Sequence, residues 1–205
     1  MISSSHKFIF IHLPKTGGNS VQDALRAIAD DEMGAFKPHQ DGVESFGVRN
    51  PSHNRLQKHS TLADYHDALG DKVHEYKIFT TIRNPFDRLV SSYFSPHRGE
   101  IRWNQSDFRA FIKSVKPLEN FLAAKAGFFS RRIPKVGRIA RFLRFERLNE
   151  DFAKMCADVS MQIVDLPHRN QATARRDYRD CFDAEMIAWV KTHHRLELAL
   201  GEYSF

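Results

Sequence analysis

Cysteine is scarce in this chain: Cys156 and Cys181 are the only two among 205 residues. Two thiols cannot staple a disulfide scaffold, and their rarity points to a reducing, cytoplasmic setting. Long apolar runs are missing as well, and none approaches the ~20 residues a membrane-spanning helix needs. Met1 to Lys7 leads straight into a strand-like segment, without the apolar stretch of a signal peptide. Internal repeats, low-complexity tracts and long linkers are absent. The eleven histidines show no His-Glu-x-x-His or comparable ligand spacing, so no metal site is expected. With 41% hydrophobic and 27% charged residues, the bulk of the chain is globular rather than disordered. The length suits a single domain, 1–205.

Charge is the one global bias. Lys and Arg outnumber Asp and Glu by 31 to 25, a net charge of +6. Such an excess favours anionic partners, whether nucleic acid, a membrane surface or a phosphorylated or sulfated small molecule. Arg131, Arg132, Lys135, Arg138, Arg141, Arg144 and Arg147 cluster with only Glu146 opposing them in that stretch. The plain reading of such a run is a solvated face.

Hydrophobic patterning gives alternating strands and helices. Lys7 to His12 is a nearly continuous apolar run, as in a strand covered on both faces. After the turn 13–18, apolar residues return at Val21, Ala24, Leu25 and Ile28, a helical spacing. A second strand-like run, Tyr76 to Ile82, precedes Arg83-Asn84-Pro85, with Asn84 suited to an N-cap and Pro85 to the first helical position. Phe142 to Phe145 reads as a third strand, followed by a helix for which Asn149 is a candidate cap. Asp183 caps an expected last helix, which Gly201 would stop. This alternation predicts an α/β fold with a mainly parallel central sheet flanked by helices. Ligands of such sheets bind outside the carboxyl ends of the strands, where both 13–18 and 83–85 fall. The stretches 34–58 and 96–138 carry no assignable pattern.

The chemistry concentrates in Pro14-Lys15-Thr16-Gly17-Gly18-Asn19-Ser20. Glycines let the backbone turn sharply and approach a ligand. Free amides and the dipole at a helix start attract an anion, and Lys15 adds a mobile positive charge. The competing reading is a tight turn with a surface lysine. The nucleoside-triphosphate loop G-x-x-x-x-G-K-[ST] does not fit, because Ile9 and Pro14 occupy its glycine positions. Arg83 at a strand end could offer bidentate donors to a phosphate, with Ser91 on the following helix as a hydroxyl donor. Alternatively, Arg83 pairs with Asp87 and Ser91 is merely exposed. Arg88 reads as structural or surface.

Strand-Pro-Lys-Thr-Gly-Gly-x-Ser followed by Arg83-Asn84-Pro85-Phe86-Asp87-Arg88-Leu89-Val90-Ser91 resembles the sulfotransferases that use 3′-phosphoadenosine 5′-phosphosulfate (PAPS). The nearest branch holds the Golgi carbohydrate sulfotransferases and their bacterial relatives. Lys58-His59-Ser60-Thr61, Leu143 to Leu148, Leu166 to Asn170 and Glu197 to Phe205 add to the likeness. The resemblance implies a P-loop-like three-layer fold. It also implies a 5′-phosphosulfate loop at Lys15, Thr16, Gly17, Gly18, Asn19 and Ser20, and a 3′-phosphate motif at Arg83 and Ser91. Asn19 stands where the family commonly has Ser or Thr, though it could still cap the helix. PAPS is then the donor, 3′-phosphoadenosine 5′-phosphate (PAP) the product, and the acceptor a hydroxyl, expected on a glycan.

In that reading Lys15 neutralises the leaving bridging oxygen and His59 removes the acceptor proton. Ser60 and Thr61 cap a helix carrying Leu62, Tyr65 and Leu69, placing His59 at a loop-to-helix junction. Glu146 is the competing base. His12 reads as a satisfied core or loop histidine, while His193 and His194 are expected half-exposed on the last helix. A kinase-like phosphotransferase would need a magnesium-binding acid at a strand end, and none is well placed. A nucleic-acid-binding module would need aromatics interleaved in the basic cluster, where only Phe142 and Phe145 occur.

Overall fold

The computed structural model describes residues 1–34, 37–38, 44–95, 98–126, 131–166 and 176–205. Four strands form the main sheet: β1 (Ile2–Ser3), β2 (Phe8–Ile11), β3 (Lys77–Ile82) and β4 (Ile139–Arg144), in that spatial order. β2, β3 and β4 run parallel, in register through Phe10 with Phe79 and Thr80 with Phe142. β1 closes the other edge antiparallel, pairing Ile2 with Ile9. This is the expected α/β arrangement, with one short antiparallel strand added.

Side-chain alternation along β2 explains the layers. Phe8 and Phe10 point to one face and pack with Val21 of α1 (Gly18–Ala24) and with Phe152 and Met155 of α6 (Leu148–Asp158). Ile9 and Ile11 point to the other. There they meet Leu62 and Tyr65 of α2 (Leu62–Leu69) and Leu118 and Leu122 of α5 (Leu118–Leu122). Every side chain of β2 is fully buried, which is why its sequence is apolar on both faces. Each such Phe or Ile contributes roughly 1.5–3 kcal/mol on burial. A third cluster joins α3 (Pro85–Tyr93), α4 (Gln105–Ile112) and α7 (Ala184–His193) through Phe86, Tyr93, Phe108 and Val190.

Helix starts follow local chemistry. The Asn84 side chain accepts from Phe86 N at 3.0 Å with Pro85 in the first turn, as its sequence suggests. Thr61 caps α2 in a reciprocal pairing with Asp64. Asp183 caps α7 by accepting from Met186 N. Asn149, by contrast, is not a cap: α6 already begins at Leu148, with Arg147 at the cap position and no side-chain bond there. Asp151 in its first turn instead accepts the Arg144 amide at 3.0 Å.

The expected single last helix is two. It breaks at His194, between α7 and α8 (Arg195–Gly201). His194 is fully buried rather than half-exposed, because it sits with Arg88 and Glu197 in a polar knot inside the fold. Arg88 Nη2 donates to Glu197 Oε1 at 3.0 Å and to the Lys116 carbonyl at 3.2 Å. Burial pushes the Glu197 carboxyl up, yet His194 and Arg88 outweigh it and hold the group below its ordinary value. Arg88 is thus structural. The turn after α8 is made by Glu202 at φ 56, not by Gly201. Gly201 is needed for another reason, since a Cβ there would lie 1.9 Å from the Tyr203 ring.

The unassigned stretch 96–138 contains α4, α5 and an antiparallel pairing of Ala123–Ala126 with Arg131–Pro134. The stretch 34–58 contributes short pairings, Glu32–Met33 with Val48–Arg49 and Lys37–Pro38 with Glu44–Ser45. Of the segment Leu166 to Asn170, only Leu166 falls within the described residues. Cys156 and Cys181 are buried and free. Among the described residues, no helix is long and apolar enough to cross a membrane.

Candidate active site

Residues 12–17 carry the chain from the end of β2 into α1. Thr16 is fully buried. Its hydroxyl donates to the Leu13 carbonyl at 2.6 Å and meets Thr81 Oγ1 of β3 at 2.5 Å, pinning the loop to the neighbouring strand. Lys15 and Gly17 both take left-handed backbone, with φ of 66° and 82°. Glycine does so freely, whereas for Lys15 the conformation costs roughly 1–2 kcal/mol. The turned Lys15 carbonyl accepts a 2.8 Å bond from Arg83 Nη1.

Neighbouring side chains leave no room for larger residues at either glycine. A Cβ on Gly17 would lie 2.8 Å from Leu148 Cδ2, and one on Gly18 would lie 2.2 Å from His12 Cδ2. Gly17 occupies the cap position of α1 without a side-chain bond. Asn19 lies inside the helix and is not its cap, because α1 starts at Gly18. Lys15 and Asn19 are half-buried and Ser20 is buried.

Arg83 follows β3 and is only 3% exposed. Its Nε donates to Asp87 Oδ2 at 2.8 Å, so the ion pair anticipated as the plain reading does form. Its guanidinium also stacks on Phe145, 4.1 Å from the ring centroid. Nη2 comes within 2.7 Å of the same Asp87 oxygen, but no N–H aligns on an acceptor. Burial lowers the Arg83 pKa, and Asp87 opposes that effect. Burial likewise raises Asp87, with Arg83 pulling it down. Ser91 lies half-buried further along α3.

The third loop, after β4, braces the second. Glu146 Oε1 accepts the Asn84 amide at 3.1 Å, and Oε2 accepts the Tyr203 hydroxyl at 2.6 Å. Burial first and Glu146 second push the Tyr203 hydroxyl well above its ordinary pKa, so it remains a donor. Asn84 Nδ2 also donates to the Ser204 carbonyl at 3.1 Å.

His59 is exposed on the loop before α2, beside the end of β2. Its Nδ1 lies 3.1 Å from the His12 carbonyl, and the two imidazole rings pack with centroids 4.6 Å apart. His12 is buried as expected, with Nδ1 2.9 Å from Gln22 Oε1. Burial, then the neighbouring His59 and Lys58, hold the His12 pKa well below 6.5. Lys58 sits over the Phe46 ring and donates to its carbonyl at 3.1 Å. Partial burial lowers its amine to about 8.

The basic cluster does not form one free face. Arg138 donates to the Val73 carbonyl near α2. Arg141 pairs with Asp158 at 2.8 Å and Arg144 approaches Glu202 at 4.0 Å. Acids distant in sequence therefore answer charges that look unopposed locally. The side chains of Arg131 and Arg132 lie outside the described set. Among the described residues, no group of three or more His, Cys, Asp or Glu could hold a metal ion.

Sequence patterning thus locates Lys15, Gly17, Gly18 and Arg83 in one connected region at the strand ends. It missed His12 as a neighbour of His59 and Gln22 as the partner of His12, and Thr81 and Tyr203 as braces. Only Gln22 left a trace in the sequence: a polar residue on the apolar face of α1, next to Val21.

A sequence model described as the sulfotransferase family matches residues 1–192. No curated protein and no solved structure matches the chain.

Proposed function

The chain belongs to the sulfotransferase family, and on that footing we propose that it moves a sulfuryl group from PAPS to a hydroxyl on a carbohydrate or glycoconjugate. The observation that supports the donor assignment is the bond between Arg83 and the Lys15 carbonyl, which joins the loops after two adjacent strands, the ones this reading gives to the two anionic ends of the nucleotide. In this reading Lys15, Gly17, Gly18, Asn19 and Ser20 hold the 5′-phosphosulfate. Thr16 can contribute only its main chain, because its hydroxyl is committed to Leu13 and Thr81. Arg83 and Ser91 take the 3′-phosphate. A buried guanidinium with an unaligned N–H suits a phosphate oxygen, since an unsatisfied buried donor costs about 1–3 kcal/mol.

The transfer balances simply. The bond from sulfur to the bridging oxygen breaks, a bond from sulfur to the acceptor oxygen forms, and the acceptor proton passes to His59. PAP leaves with the charge that Lys15 offsets. Glu146 is the poorer base because both of its carboxylate oxygens already accept protein hydrogen bonds. Positioning and charge compensation supply the rate, as in phosphoryl transfer. The cytoplasm is the compartment we assign.

Mass spectrometry of a glycan panel incubated with PAPS tests this reading. A sulfated hydroxyl product is expected with PAPS and none with ATP. Phosphorylated product from ATP would replace the reading with a phosphotransferase.

A further inference from the structure

The contact between His59 and the His12 carbonyl has a definite chemical meaning. A carbonyl oxygen can only accept, so the His59 nitrogen facing it, Nδ1, must carry the proton. A neutral His59 therefore keeps its lone pair on Nε2. The His12 ring packs against His59, tilted by 53° with 4.6 Å between centroids, and its Cδ2–Nε2 edge lies against Gly18 of the sulfate loop. Gln22, fully buried on α1, holds that ring through Nδ1.

From this arrangement we propose that His12 and Gln22 are positioning residues for the sulfuryl transfer: together they hold His59 in the Nδ1–H tautomer with Nε2 as the proton acceptor. The inference rests on the assignment of His59 as the base and says what makes it one. His12 serves as a rigid spacer between the base and the donor loop. Its packing against His59 fixes where the His59 Nε2 sits, and its own Cδ2–Nε2 edge fixes how closely the loop backbone can approach. A spacer of this kind works best uncharged, since a cation at that distance would disfavour the imidazolium that His59 must become. Burial keeps His12 neutral. Gln22 is suited to its part because an amide orients the ring without adding charge. Misplacing a reacting group by about 1 Å can cost on the order of 10²-fold in rate.

Two measurements test it on the full chain. Long-range proton–nitrogen NMR of the wild type, at a pH where its imidazoles are neutral, should show His59 protonated at Nδ1. Gln22→Met keeps the volume but removes the anchor. It should lower kcat about ten- to hundredfold while the Kd for PAP stays within about threefold, and should turn the His59 signal into a mixture of tautomers. Gln22→Asn, which keeps an amide, should recover part of kcat if the anchor acts by orientation. An Nε2–H tautomer in the wild type overturns the inference, as does a Gln22→Met variant with unchanged kcat and tautomer. A fully active His59→Ala would instead overturn the base assignment, and the catalytic part of the support with it. The NMR result, read without turnover, tells these two failures apart.

Discussion

Arg83 Nη1 donates a 2.8 Å hydrogen bond to the main-chain carbonyl of Lys15, tying the loop after β3 to the loop after β2. The same guanidinium pairs with Asp87 and stacks on Phe145, so one side chain joins three loops at the strand ends. It also offsets the left-handed backbone of Lys15, which would otherwise be a net cost. A residue marked by sequence as a ligand contact is therefore equally a structural one.

Removing Arg83 should cost stability as well as binding. Arg83→Ala removes a buried guanidinium whose charge-assisted bonds serve Asp87 and the Lys15 carbonyl, each worth about 1.5–3 kcal/mol. Arg83→Lys keeps the charge but loses the fork that serves Asp87 and Lys15 together, so it should recover only part of that loss. Urea unfolding of both variants checks this. A loss below about 1 kcal/mol for Arg83→Ala would refute the bracing role.

Gly18→Ala should destabilise the fold by about 1–3 kcal/mol through overpacking against the His12 ring. The clash is specific, so Ala at position 18 should be better tolerated when His12 is also Ala. A double-mutant cycle reads the coupling directly. Additive losses would mean that the ring does not rest on the loop.

Acid should weaken the fold partly through His12. Its folded pKa is depressed below 6.5, so the unfolded chain binds that proton more readily than the native one. The stability linked to this group is complete above pH 6.5 and is lost as pH falls below it towards the folded value. Unfolding free energies between pH 7.5 and 5 should fall less steeply in His12→Phe than in the wild type. Equal slopes would show that His12 does not titrate across unfolding.

His59→Ala should lower turnover by ~10²–10⁴-fold, the usual cost of a lost general base, with PAP affinity little changed. Glu146→Gln should keep most of its activity, because both carboxylate oxygens are engaged in bracing Asn84 and Tyr203. Steady-state kinetics on the two variants decide between the bases. The opposite pattern would move the role to Glu146.

Local signals were readable in the sequence, and long-range ones were not. The unbroken apolar run of β2, the Asn84-Pro85 start of α3 and the Thr61 and Asp183 caps all depend on residues within a few positions of one another. α4 was also within reach, since Asn104 caps it and Phe108 and Ile112 share a face, whereas five-residue α5 is too short to show a period. Asn149 misled because Leu148 packs onto Gly17 and the helix starts earlier. Thr16 has the composition of a ligand contact, yet its hydroxyl turns inward to Thr81, 65 residues away. His194 looked exposed on helical spacing because its partner Arg88 is 106 residues distant.

The central claim is that two tied loops hold the two ends of one nucleotide. Calorimetry of the wild type with PAP and with adenosine 5′-phosphate tests it without altering the protein. PAP should bind more tightly by about 1.5–3 kcal/mol, the worth of charge-assisted hydrogen bonds from Arg83 and Ser91 to the 3′-phosphate. Equal affinities, or no binding of PAP to folded protein, would contradict the account.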